Sequence, residues 1–123
     1  MKMESDALDE IRAAIAAYDA ALRVDDLDAV AAWFDDALTT TRFGERGAVR
    51  GAGEIDAMRR MQKPGLALGR RDVRADVWLA APGAAVATLE FARPDGSHGL
   101  RTQIWRETGR GWRITHAHLS VIS

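Results

Sequence analysis

The sequence predicts an α+β domain: a curved antiparallel sheet covered on one face by N-terminal helices. Three observations lead there. From Leu8 to Met61 apolar residues recur mostly at steps of three and four, the period of a helix. Beyond Leu66 the period falls to two. Turn signals at Pro82-Gly83, Pro94-Asp95-Gly96 and Thr108-Gly109-Arg110-Gly111 divide that second half into four strands. Helices gathered first and a meander gathered last leave the helices stacked on one sheet face.

In the first helix Leu8, Ile11, Ile15, Tyr18 and Leu22 share one face. Ser5 is the expected cap, and Asp6, Asp9 and Glu10 sit where the helix dipole is positive. A second, short helix starts at Asp25 as N-cap, with Asp28 three residues on and Leu27, Val30, Trp33 and Phe34 as its apolar face. The threonine-rich stretch 38–43, ending at Gly44, suits a strand, and Ala48-Val49-Arg50 returns from it as a hairpin. A third helix turns Ile55, Met58 and Met61 inward and stops at Pro64-Gly65. Four strands follow, over about 67–80, 84–92, 98–107 and 111–121.

One domain, 1–123, is expected, since the chain has the usual length of one domain and shows no repeat or linker. With 47% hydrophobic and 28% charged residues the composition is globular. Seventeen basic against eighteen acidic residues give a net charge of -1, which leaves no field to attract nucleic acid or an anionic membrane. The absence of cysteine excludes disulfides and thiolate metal sites. No stretch approaches 18 apolar residues, so neither membrane insertion nor a signal peptide is supported, and a cytoplasmic location is expected.

The strands are apolar on both faces. Trp105 opposes Leu100 and Ile104, while Trp112 and Ile114 oppose Leu119 and Val121. One layer of helices covers one face, so the outer face is expected to pack against a second copy in a homodimer.

Tyr18 lies on the buried stripe of the first helix. Its hydroxyl either satisfies a core carbonyl or serves as a donor to a ligand oxygen. Arg42 shares parity with Leu38 and Thr40 and points toward the helices. It either pairs with Asp35, Asp36 or Glu45, or aims its fork at a substrate carboxylate. On the last strand His116, His118 and Ser120 alternate and are expected on the face of Trp112 and Ile114, as a polar row lining a pocket. Two histidines at that spacing can ligate a metal, but no convincing third ligand is visible, so no metal or other cofactor is expected. His98 follows a turn and reads as exposed. Arg101, Gln103 and Trp105 share one side of their strand, whereas Glu90 reads as an outward edge charge. Neither a Gly-x-Ser-x-Gly elbow nor a phosphate loop is present: Gly51-Ala52-Gly53 lacks the lysine continuation.

The element order, with the closing run Gly111-Trp112-Arg113-Ile114-Thr115-His116-Ala117-His118-Leu119-Ser120, resembles SnoaL-like, nuclear-transport-factor-2-like cones. A closer likeness covers nearly the whole chain. Tyr18-Asp19-Ala20-Ala21-Leu22, Thr41-Arg42-Phe43-Gly44-Glu45, Val49-Arg50-Gly51, Glu90-Phe91 and Thr102-Gln103-Ile104-Trp105 resemble successive blocks of the AtzH-like family. The resemblance implies a metal-independent, decarboxylating amidohydrolase acting on a small carboxylated urea of cyanuric acid breakdown. Tyr18 would be hydroxyl donor, Arg42 carboxylate clamp and His118 water-positioning or proton-relaying group, with Arg101, Gln103, Trp105, His116 and Ser120 around a small anionic substrate. Two alternatives stand beside it. A non-catalytic binding or oligomerisation domain would use the same pocket for recognition alone. An isomerase or cyclase of the same fold would need a carboxylate base, which only an inward Glu90 or Asp36 could provide.

Overall fold

A computed structural model describes residues 3–122. Helix α1 (Glu4–Arg23) and the short α2 (Leu27–Ala32) come first, then a hairpin of β1 (Thr41–Gly44) and β2 (Gly47–Arg50), then α3 (Ala52–Arg60). Strands β3 (Arg71–Ala81), β4 (Ala84–Ala92), β5 (His98–Thr108) and β6 (Gly111–Ile122) complete one six-stranded sheet in the order β2-β1-β6-β5-β4-β3. All neighbours are antiparallel except β1 and β6, which run parallel where the hairpin is added to the meander edge.

The inner face of the sheet meets α1 along the apolar stripe that periodicity predicts. Ile11, Ile15 and Tyr18 are buried there together with Ala7, Ala14 and Ala21, whose small side chains let the helix approach the strands closely. Opposite them lie Ala85, Ala87 and Leu89 of β4, Trp105 of β5, and Trp112 and Ile114 of β6. Tyr18, Phe34 and Trp33 meet in edge-to-face contacts on and around the Trp105 indole, with ring centroids 5.9–6.5 Å apart. This geometry matches the attraction between a positive ring edge and a negative ring face.

Several boundaries move for local reasons. Met3 rather than Ser5 occupies the N-cap of α1, and the helix opens through the Ala7 N–H to Met3 carbonyl bond at 3.1 Å. Asp26, not Asp25, caps α2 and accepts from the Ala29 N–H. Asp25 adopts the left-handed conformation, φ 53°, and its carboxylate accepts from the Gly65 N–H at 2.9 Å, tying the α1–α2 corner to the loop after α3. The first strand begins at Thr41 and not at 38. Thr40 is drawn back into a turn by bonds to Ala37 and to the Asp35 carbonyl, leaving Leu38 exposed. Met61 ends up outside the helix and exposed, because α3 is only nine residues long. Residues 61–70 form consecutive turns, so the next strand begins at Arg71 and not at 67.

The largest correction concerns β6. Ile104 pairs with His116 but Trp105 pairs with Ile114, so Thr115 is an extra residue, a β-bulge. A bulge reverses the facing of every residue beyond it. Leu119 and Val121 therefore turn to the inner side with Trp112 and Ile114. His116, His118 and Ser120 turn to the outer face, opposite Ile104, Thr102 and Leu100. There His116 Nδ1 lies 2.7 Å from Thr41 Oγ1, and both imidazoles stack edge-on with Phe43. The outer face carries half-exposed Trp78, Leu100 and Ile104, with Glu90 also outward.

Gly99 lies opposite Phe91 in the β4–β5 ladder, and the phenyl ring folds across it: a Cβ on Gly99 would lie 2.0 Å from Phe91 Cζ. Gly99→Ala must displace a fully buried ring. Overpacking of this kind costs about 1–3 kcal/mol, to be read as a lower urea midpoint at unchanged m-value. An unshifted midpoint would mean that the ring has another place to go.

Candidate functional site: a cationic cavity beneath the first helix

A cavity of about 390 Å³ opens between the C-terminal half of α1, the end of α3 with the loop after it, and the inner face of β1, β6, β5 and β4. Its chemistry begins with parity. In β5 Arg101, Gln103 and Trp105 all face inward and are buried. In β1 the inward residue is Arg42, paired in register with Ala117 of β6. The next inward position is Gly44, where a Cβ would lie 3.0 Å from Arg42 Nη1; glycine leaves the guanidinium room to fold back over the strand.

Tyr18 and Arg42 line this cavity together, and Arg59 reaches in beside them from α3. Arg59 Nη2 donates to the Tyr18 hydroxyl oxygen at 3.4 Å. Arginine has no acceptor to return, so the phenolic proton remains free to point at a ligand. None of Asp35, Asp36 or Glu45 forms an ion pair with Arg42. Asp35 is bound by Arg106 and Asp36 by Arg110, while Glu45 leans to Arg93 at 3.8 Å. Burial and the neighbouring Arg59 charge pull the Arg42 guanidinium below its usual value, only partly opposed by Tyr18 and Glu45.

The second group of charges turns on Asp19, one residue beyond Tyr18 and only 4% exposed. Arg101 donates to both of its oxygens, at 2.9 and 3.1 Å, and Arg70 adds a third bond at 3.3 Å. Burial, and then repulsion from Arg101, pull Arg70 down to about 10 in spite of Asp19. Phe91 stands against this group: the guanidinium carbons of Arg70, Arg93 and Arg101 lie 4.6, 5.6 and 5.6 Å from its ring centroid. The negative face of an aromatic ring favours such cations.

Gln103 has a defined orientation. Trp105 Nε1 donates to its Oε1 at 3.0 Å, and because an indole can only donate, the amide oxygen must face the ring. The NH2 group makes no hydrogen bond among the described residues and lines the cavity as a donor.

Of the residues singled out from the sequence, the structure thus brings Tyr18, Arg42, Arg101 and Gln103 to one cavity, with Trp105 behind them as support. It does not bring His116 and Ser120, and His118 reaches only its border. The backbone of β6 runs along the cavity, and His118 borders it, but the His118 ring is exposed and lies against Phe43 on the outer face. Burial and then the nearby His118 hold the His116 imidazole below its usual value. Among the described residues no cluster of three or more His, Asp or Glu could hold a metal ion. The residues missed were Asp19, Arg59, Arg70 and Arg93. Asp19 continues the Ile11, Ile15 spacing at i+4, and Arg59 follows Ile55 at i+4; both lie on faces the sequence marks as inward.

The two groups of arginines differ energetically. Asp19→Asn leaves Arg101 and Arg70 buried without a counter-charge, and breaking such a pair costs about 3–5 kcal/mol. Arg42→Met removes a buried charge that is in no ion pair among the described residues and is expected to raise stability by about 1 kcal/mol. Urea unfolding of the two variants should move in opposite directions; a loss of stability in Arg42→Met would mean that Arg42 is a structural cation.

Comparison with known proteins agrees with this architecture. No functionally curated protein matches the chain. Among solved structures it is similar to a protein of unknown function from Pectobacterium atrosepticum, at 31% identity and TM-score 0.88, covering 96% of this chain and 92% of that one. It is also similar to a cystatin-like fold protein from Burkholderia xenovorans, at 28% identity and TM-score 0.87, covering 96% and 93%. A nuclear-transport-factor-2-like protein of unknown function from Shewanella oneidensis shares the fold at 19% identity and TM-score 0.78, covering 92% and 98%. The AtzH-like family profile matches residues 3–123, and with that extent of match the chain belongs to the AtzH-like family, on a nuclear-transport-factor-2-like fold.

Proposed function

We propose that the protein is a metal-independent amidohydrolase of the cytosol that acts on a small carboxylated urea. The observation that carries this reading is the placement of Tyr18 and Arg42 on one cavity, with Arg42 buried and in no ion pair within 4 Å of a carboxylate among the described residues, Glu45 acting on it only from farther away. A buried unpaired guanidinium is costly to keep, and a substrate carboxylate is the counter-charge that its fork fits. Tyr18, accepting from Arg59, offers its proton to the carbonyl oxygen beside that carboxylate. Gln103 adds an NH2 donor, and Trp105 holds it in that orientation. The donors polarise the reacting carbonyl for attack by water, which breaks its bond to the carboxylated nitrogen; that nitrogen takes up the water's proton, and the carbamate held by the clamp then loses carbon dioxide.

His118 has no part in this scheme, because its ring is on the outer face. An isomerase reading is disfavoured for a related reason. Glu90 points outward and Asp36 is bound to Arg110 outside the cavity, so the base required for proton abstraction is not supplied by either. One observation favours a second reading, a binding domain without turnover: the deep wall of the cavity offers donors, while Asp19, the buried carboxylate behind that wall, is held by two arginines.

Turnover separates the two. With a carboxylated urea as substrate, Tyr18→Phe is expected to lower kcat by about 10²–10³, the effect of removing one donor to a developing oxyanion. Arg42→Ala should lose kcat/KM by a similar or larger factor. Full activity in Tyr18→Phe would refute the donor role, and a wild-type protein that binds the substrate without cleaving it would establish the binding domain.

The outer sheet face is proposed as the contact between two copies. Trp78, Leu100 and Ile104 leave it unusually apolar for a solvated surface. Light scattering at micromolar concentration should give twice the chain mass, and Leu100→Lys with Ile104→Lys should return it to the monomer value. A monomeric wild-type protein would remove this interface.

A further inference from the structure

Register orders the outer face of the sheet into rows that cross all six strands. One row runs Arg50, Thr41, His116, Ile104, Val86 and Trp78, from β2 to β3. The next runs Ala48, Phe43, His118, Thr102, Thr88 and Asp76. Both rows change character at the middle of the sheet. On the side of β2, β1 and β6 they carry a guanidinium, a hydroxyl and two imidazoles. On the side of β5, β4 and β3 they carry the half-exposed Ile104 and Trp78 and end at the Asp76 carboxylate, with Leu100 and Glu90 in the row beyond.

A two-fold axis lying in the interface along the boundary of β5 and β6 exchanges these halves. Strand β6 then meets β5 of a second copy, and β2 meets its β3. The imidazoles come to rest over Ile104, Thr102 and Leu100, and Arg50 comes over the Trp78 ring beside Asp76, where an aromatic face and a carboxylate both favour a cation. Each half finds its complement in the other, so the partner this face fits is a second copy of the chain.

That contact suits a neutral imidazole and not a charged one. Thr41 Oγ1 lies 2.7 Å from His116 Nδ1, and Phe43 stands edge-on to both rings, at 4.9 and 5.8 Å between centroids. The two imidazoles are themselves 6.5 Å apart. No outward residue of the flanking strands β1 and β5 is a carboxylate. Charged groups elsewhere on the face are distant or committed. Arg50 and Glu90 stand two strands away, and Asp76 stands three strands away, paired with Arg74 at 2.8 Å. Arg106 is bound to Asp35, Arg113 lies over Trp33, Glu45 leans to Arg93, and His98 begins β5 at its exposed end. Burial and then the nearby His118 already hold the His116 imidazole below its usual value in the single copy.

We propose that the outer face is a pH-sensitive contact between two copies, which His116 and His118 join as neutral imidazoles and break when protonated. The inference rests on the reading of this face as the dimer contact and adds its regulation. The sign follows from counting protons. Separated copies leave the rings open to water and bind more protons than the dimer does, so the contact is complete above the ordinary imidazole value and is lost as the pH falls below about 6.5.

Sedimentation velocity of the intact protein at micromolar concentration, at about pH 8 and about pH 5.5, tests this. The wild type should be a dimer at the higher pH, with a dissociation constant at least tenfold larger at the lower one. His118→Lys places a permanent charge at an exposed position and should be monomeric at both. His116→Asn combined with His118→Asn should remain a dimer at both, with circular dichroism showing that each variant is folded. A wild type that is dimeric with one dissociation constant at both pH values would overturn the switch and leave the dimer contact standing. Acid dissociation that persists in the double variant, or a double variant already monomeric at the higher pH, would also overturn the switch. A wild type monomeric at both would remove the contact and the switch together.

Discussion

Much of the molecule turns on one buried carboxylate. Asp19 projects from α1 into the sheet, accepts two bonds from Arg101 of β5 and a third from Arg70 just before β3, and so fixes the helix to a strand and to the loop that leads into another. Moving these charges out of water is costly, and the geometry recovers the cost through three charge-assisted bonds. The recovery is incomplete by construction, since one carboxylate serves two guanidiniums. That imbalance adds to burial in lowering Arg70, and it leaves an excess of positive charge beside the neighbouring cavity. Phe91 extends the effect. Its ring lies over Gly99, where no Cβ intervenes, and gives three cations a common aromatic face without neutralising any of them.

The bulge at Thr115 is the second constraint, and it decides which chemistry the cavity lacks. Up to Ile114 the last strand buries its even-numbered residues beneath α1 and α2. Without the extra residue the imidazoles of His116 and His118 would continue along that wall. With it, Ala117 and Leu119 form the wall and the imidazoles pass to the outer face beside Phe43 and Thr41. The cavity is therefore bounded by small and apolar side chains on the β6 side, which leaves Arg42, in register with Ala117, unobstructed. The same event sorts polar from apolar on the opposite surface, giving it a mixed aromatic and imidazole character.

What could be read from the sequence follows from which signals are periodic. Helix α1 was legible because its apolar stripe repeats without a defect, and β5 because Arg101, Gln103 and Trp105 keep strict alternation with Leu100 and Ile104. Tyr18 and Arg42 came from the family resemblance as much as from parity, and both reach the cavity. The facing of His116, His118 and Ser120 was not legible. A bulge is one inserted residue with no required residue type here, and alternation read through it inverts everything beyond. Asp19 and Arg59 could have been found from their i+4 spacing to buried isoleucines. Arg70 and Arg93 could not, since each stands just outside a strand, where no period constrains the side chain and the position depends on how the loop closes.

The polarity of the cavity also orients whatever enters it. Each polar group presented deep inside is a donor: the guanidiniums, the Tyr18 hydroxyl proton and the Gln103 NH2, whose oxygen the Trp105 indole has already taken. Asp19 accepts, but its oxygens are filled by arginines. An amide or urea carries N–H groups that need acceptors, and burying them against a wall of donors would leave them unsatisfied at a cost of about 1–3 kcal/mol each. The acceptors with capacity to spare are carboxylates toward the mouth, Glu45 beside Arg93 and Asp25 beside the Gly65 N–H, both exposed, together with water. For the carboxylated urea proposed above, such a wall would turn the carboxylate and carbonyl oxygens inward and the nitrogens outward. That orientation would put the carbonyl under Tyr18 and direct the departing amine toward solvent, so that in the proposed reaction one pattern of donors would select the anion, align the reacting bond and open the exit.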